Sequence, residues 1–197
     1  MYTFAEAAPL SVAEVGGEAP RLATVQDRLA PGFVLGAGFE EQFYLTNNLP
    51  EQLRALFSPI NPRRVDEDVL EALCDRAAAL VRASYLLDDG VQLFYRALGG
   101  ARLLNAPLHL HRDGETFAEV AFAAPPGNAV LFALKKLWSR DWTFDAVLAR
   151  LDGLGTVGLE ARPVLIFAGS PGHEDADFAR ARGWPRALIN ERGIVGA

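Results

Sequence analysis

Apolar side chains recur at helical spacing most clearly between Asp66 and Ala83. Val69, Leu70, Leu73, Cys74, Ala77, Leu80 and Val81 fall on one face there, and Asp66 to Asp68 place negative charge at the positive end of the helix dipole. The same spacing predicts helices over 38–45 and 50–57, the second opened by Pro50. It also predicts helices over 128–138, with Asn128 as cap, over 141–151, and a small one over 175–182. Strands are expected over 2–4, 33–35, 91–98, 103–111, 115–122 and 163–168. Asp88-Asp89-Gly90 reads as the break that ends the long helical region. Arg112-Asp113-Gly114-Glu115 reads as a hairpin turn, since Asp-Gly suits the twist of paired strands. Pro107 restricts its strand to an edge or a beginning. The segment 186–195 carries no assignable pattern. The resulting class is α+β in a single domain, 1–197, with central, mostly antiparallel strands flanked by helices.

Composition narrows the chemistry. Half of the 197 residues are hydrophobic, enough for one substantial core. A net charge of -6 and a pI near 5.1 argue against a nucleic-acid surface, which needs clustered cations. The only cysteine, Cys74, has no intramolecular partner, and no apolar run is long enough to span a bilayer. The first residues, with Glu6 and Glu14 and no early Lys or Arg, do not read as a signal peptide. A soluble, cytoplasmic protein is the expectation.

The stretch from Leu10 to Phe43, LSVAEVGGEAPRLATVQDRLAPGFVLGAGFEEQF, carries the most specific signal. It joins a Gly16-Gly17 turn to a short segment of helical character, a Pro31-Gly32 turn, an apolar strand and a second helix start. This order resembles the opening of the nucleotide-binding domain of phosphoenolpyruvate synthase and the related pyruvate phosphate and rifampicin phosphotransferases, which read "VGGK…L…PPGF" here. The resemblance extends in order over about residues 2–150. It then rests on Phe94-Tyr95-Arg96-Ala97-Leu98 against the family's strand ending in "RSS", on 114–120 against "GQ-ET", and on the helix 129–138. It implies one lobe of an ATP-grasp-like domain, with Gly16, Gly17 and Arg96 at the nucleotide phosphates. ATP and magnesium are then expected only if a partner chain supplies the other lobe.

The departures from the family pattern matter. Glu18 stands where the family keeps a lysine, and Ala97 and Leu98 replace both serines. At ~4 Å and an effective dielectric of about 20, exchanging an attractive for a repulsive unit pair costs roughly 8 kcal/mol before solvent relaxation. The expectation is a degenerate, non-catalytic relative acting through protein contacts, with a protein partner or a second copy. The alternatives are a split phosphotransferase subunit completed by another chain, and a small metal enzyme.

That metal enzyme would use His109 and His111, which alternate on one strand face in an H-x-H-x-D series with Asp113. Three other motifs read as structural. Gly153 to Gly158 contains G-x-G-x-x-G, but a helix precedes it where a dinucleotide site needs a strand. Ser170, His173 and Asp175 are too close in sequence to converge as a triad, and Ser170 lacks a nucleophile elbow. Trp138, Trp142 and Trp184 are expected as core or interface anchors, and Cys74 as inert packing.

Overall fold

A computed structural model describes residues 1–62, 64–125 and 127–197. The chain begins with three short helices, α1 (Phe4–Ala7), α2 (Val12–Val15) and α3 (Glu18–Ala23), then strand β1 (Gly32–Leu35). Four helices follow: α4 (Ala37–Thr46), α5 (Leu49–Leu56), α6 (Glu67–Ala83) and α7 (Asp88–Gly100). The hairpin β2 (Pro107–Arg112) and β3 (Ala118–Phe122) leads to α8 (Ala129–Ser139), α9 (Phe144–Leu154) and β4 (Val164–Ala168). A small C-terminal unit comprises β5 (His173–Glu174), α10 (Ala176–Arg182), β6 (Leu188–Asn190) and β7 (Gly193–Gly196).

The protein is α+β: among the described residues, ten α-helices accompany antiparallel sheets of four and three strands. The larger sheet has the order β1-β4-β2-β3 and the smaller β5-β6-β7. Alternation along the larger sheet sorts its side chains into two faces. Phe33, Leu35, Leu108, Leu110, Val164 and Ile166 enter the larger core with the buried residues of α4 to α9. Val34, Leu165 and Phe167 enter a smaller core with α1 to α3 and the C-terminal Ile194 and Val195. His109 and His111 pair with Phe167 and Leu165, so their rings belong to this second face.

The elements with the longest helical periodicity lie where expected. Asp66 caps α6 through the Val69 amide; α8 follows Asn128 directly, but the Asn128 side chain makes no capping hydrogen bond. The expected helix over 141–151 divides into a 3-10 turn, Arg140–Trp142, and α9. The unassigned tail forms the β6–β7 hairpin.

Other expectations are corrected. Residues 91–98 are not a strand but the body of α7. Val91, Phe94 and Leu98 sit on one helical face, Phe94 and Leu98 fully buried, and Asp88 and Asp89 open the helix rather than end the previous one. The strand expected over 103–111 shortens to begin at Pro107, because Arg102 and Asn105 adopt positive φ (58° and 56°) and turn the chain before it. The strand expected over 2–4 reduces to one bridge between Tyr2 and Val34. Thr3 caps α1 instead, exchanging hydrogen bonds with Glu6.

Candidate functional site

Gly16 ends α2 with φ 81°, a conformation that only glycine adopts without strain. The next two amides point together into the loop, as in turns that cradle phosphates. Here they hold a carboxylate from the same chain. The Gly17 amide donates to Asp113 Oδ2 at 3.0 Å, and the Glu18 amide donates to Asp113 Oδ1 at 2.7 Å. A Cβ built on Gly16 would lie 2.3 Å from the Asp113 carboxyl, so the turn closes tightly on this side chain. Asp113 belongs to the β2–β3 turn, where Gly114 supplies φ 79°.

Glu18 returns the contact. Its Oε1 accepts the Gly114 amide at 2.9 Å and also pairs with Arg186, while Oε2 accepts the Ala197 amide at 3.3 Å and lies 3.4 Å from His111 Nε2. Burial opposes charge on this carboxyl. The His111 hydrogen bond, Arg186 and the Gly114 amide outweigh it, so Glu18 titrates below the usual carboxylate range. The sequence placed this carboxylate opposite a nucleotide phosphate; it is instead the buried centre of a network joining α3, the hairpin and the C-terminal strand.

Arg112, at the end of β2, anchors a second network. Its guanidinium grips Glu40 of α4 with two bonds, at 2.5 and 2.7 Å, pairs with Asp141, and donates to the Arg162 carbonyl at 2.8 Å. Arg162 donates its amide to Glu40 at 2.9 Å and its side chain to Asp141 at 2.6 Å and Glu115 at 2.8 Å. Burial would lower the Arg112 pKa, but Glu40 and Asp141 reverse that and hold it charged.

A groove of about 1200 Å³ lies beside both networks, with Gly16, Asp113, Arg140, Arg150 and Glu160 on its wall. That wall carries five carboxylates and three guanidiniums, an unfavourable field for a triphosphate. The Asp113 and Asp141 carboxylates are engaged as described.

Arg96 is elsewhere. It is exposed on α7 and lines a separate cavity of about 570 Å³ with Tyr2, Glu14 and Phe39. The expected pairing of Arg96 with the Gly16-Gly17 turn is therefore absent, because α7 replaces the strand that was to carry it. The strand that does end in an arginine is β2, at Arg112.

His109 and His111 do share a face. Their rings stack at 5.8 Å, and Phe167 stacks against each at 5.6 and 6.0 Å. His109 Nδ1 lies 3.3 Å from the Gly169 carbonyl, and burial pushes its pKa down to about 4. Asp113, the third member of the series, faces the Gly17 and Glu18 amides instead. Among the described residues no group of three His, Cys, Asp or Glu is gathered that could hold a metal.

The remaining motifs are structural. Gly155 caps α9 with φ 67°, inside the G-x-G-x-x-G loop. Ser170 Oγ donates to Glu191 at 2.7 Å, and Asp175 caps α10, so no triad forms with His173. Burial pushes the Cys74 thiol up to about 11. The Trp142 indole donates to the Tyr44 hydroxyl at 2.8 Å within the core. Among the described residues no helix is long and apolar enough to cross a membrane. The contact between Gly17 and Asp113 had no signal in the sequence beyond the hairpin turn itself.

No protein-family model matches the chain, and no curated protein matches it.

Proposed function

We propose that this protein is a degenerate, non-catalytic relative of the nucleotide-binding lobe of the phosphoenolpyruvate synthase group, working through protein contacts in the cytoplasm. One observation carries the reading: the Gly17 and Glu18 amides, which in such a turn would face a phosphate, are occupied by Asp113. An incoming anion has to displace a carboxylate bound by two hydrogen bonds, with the buried Glu18 carboxylate beside it. Each unmatched buried charge of that kind costs several kcal/mol. The acidic balance of the adjoining groove adds to the barrier.

Calorimetric titration of the protein with ATP and magnesium tests this. The expected result is no saturable heat at millimolar nucleotide. Micromolar binding overturns the reading.

A further inference from the structure

The two edges of the four-stranded sheet are finished differently. The β1 edge is closed by Tyr2, whose amide and carbonyl bond Val34 at 2.9 and 2.8 Å. The β3 edge has no neighbouring strand among the described residues. Ala123, just beyond β3, turns both backbone groups toward β2, donating to the Ala106 carbonyl at 3.0 Å and accepting from the Asn105 amide at 2.6 Å. By the alternation of an antiparallel ladder, the amides of Ala118, Val120 and Phe122 and the carbonyls of Ala118 and Val120 point outward. The Phe122 carbonyl is taken by Ala124.

Bare strand edges are usually protected by a charge or a proline. Here the outward series is Ala118, Val120 and Phe122, with Val120 62% and Phe122 51% exposed. The one charged residue of β3, Glu119, turns to the opposite face and pairs with Lys136 of α8 at 2.9 Å. Phe132, one helical turn before Lys136, is 62% exposed.

The geometry points to a second copy of this chain as the occupant, added through β3 as an antiparallel strand about a two-fold axis at Val120. This rests on the protein-contact role proposed above and names its partner. In that register Ala118 stands opposite Phe122 of the second copy, small against large, and Val120 meets itself. Glu119 of the second copy falls opposite Ala121, not opposite Glu119, on the face that carries Lys136. That ammonium has three donors and is 64% exposed, so it is free to take a second carboxylate. The chain has only two lysines, Lys135 and Lys136, and both stand on α8. The two-fold pairing thus sets no like charges directly opposite one another, and it gathers two Glu119–Lys136 pairs on one face, where each exposed ammonium can bridge both carboxylates.

The three apolar side chains offer roughly 300 Å² per copy, against ~800 Å² in a standard stable complex. The dimer is accordingly of the weak, concentration-dependent kind.

Sedimentation equilibrium of the full chain is expected to show the mass doubling as concentration rises from roughly micromolar to several hundred micromolar. Val120→Lys, which sets two cations face to face, is expected to remain monomeric with an unchanged thermal melt. Val120→Cys is expected to form a disulfide-linked dimer on mild oxidation. Directly paired Cα atoms of this type lie about 5.5 Å apart, within the span of a disulfide. The buried Cys74 does not compete. A wild-type chain that stays monomeric throughout, a dimer that survives Val120→Lys, or a Val120→Cys chain that fails to crosslink overturns the proposal. Nucleotide binding is read separately: a positive ATP titration removes the non-catalytic reading and leaves these mass measurements standing.

Discussion

Asp113 and Glu18 clasp each other's turns across the fold. The carboxylate of Asp113 binds the amides of Gly17 and Glu18, and the carboxylate of Glu18 binds the amide of Gly114. The arrangement resembles a capping box, but it is made between residues far apart in sequence and Glu18 takes the amide that follows Asp113. Asp113 satisfies donors at the start of α3 that the helix cannot satisfy itself, and each acid holds the backbone on which the other is mounted.

Glu18→Lys, which introduces the residue type of the family the sequence resembles, is expected to destabilise the protein by about 3–5 kcal/mol. It would set an ammonium beside Arg186 inside a buried network. Chemical denaturation followed by circular dichroism checks this. Glu18→Gln should lose less. It should also remove the acid sensitivity that Glu18 supplies, which is present as stability above pH 4.5 and lost as pH falls through its lowered folded value.

Asp113→Ala is expected to cost about 1–2 kcal/mol through two amides left without their acceptor. Gly16→Ala should cost more, since φ 81° disfavours it and its Cβ would overlap the Asp113 carboxyl. The same denaturation measurement ranks the two variants.

Stability should fall as pH drops from 6.5 towards about 4, because the unfolded chain protonates His109 across that window and the folded chain does not. The upper bound is about 3 kcal/mol. His109→Leu is expected to flatten this part of a stability-against-pH curve. An unaltered slope would assign it to another group.

Arg112→Met leaves Glu40 buried opposite an apolar side chain and should cost about 3–5 kcal/mol. Arg112→Lys should rescue only part, because an ammonium cannot make the paired grip on Glu40. Thermal melts of both variants provide the comparison.

Arg96→Ala is expected to change stability by less than about 0.5 kcal/mol, as for exposed surface positions generally. A larger loss would give this side chain a structural role that its position on α7 does not indicate.

The parts of the fold that could be read from the sequence are those with local causes. The stripe from Leu70 to Val81, the Asp113-Gly114 turn and the apolar run from Val164 to Ala168 each specify their element within a few residues. Helix α7 escaped because Phe94 and Tyr95 have strand character and Asp88-Asp89-Gly90 looks like a stop. Its helical form depends on burial of Phe94 and Leu98 against distant helices. The site was legible only as a turn. What fills it is decided by Asp113, whose partner lies some 95 residues earlier, and no local pattern encodes that pairing.

The strand order β1-β4-β2-β3 sets a condition on assembly. β4 lies between its two neighbours, so no backbone ladder joins β1 to the β2–β3 hairpin until residue 168 has been made. A nascent chain leaving the ribosome therefore holds an open sheet until β4 emerges, with Leu108, Leu110 and Phe33 lacking their central partner. Fragments that stop before Val164 are expected to aggregate rather than fold, and closure should come as a single late, slow event.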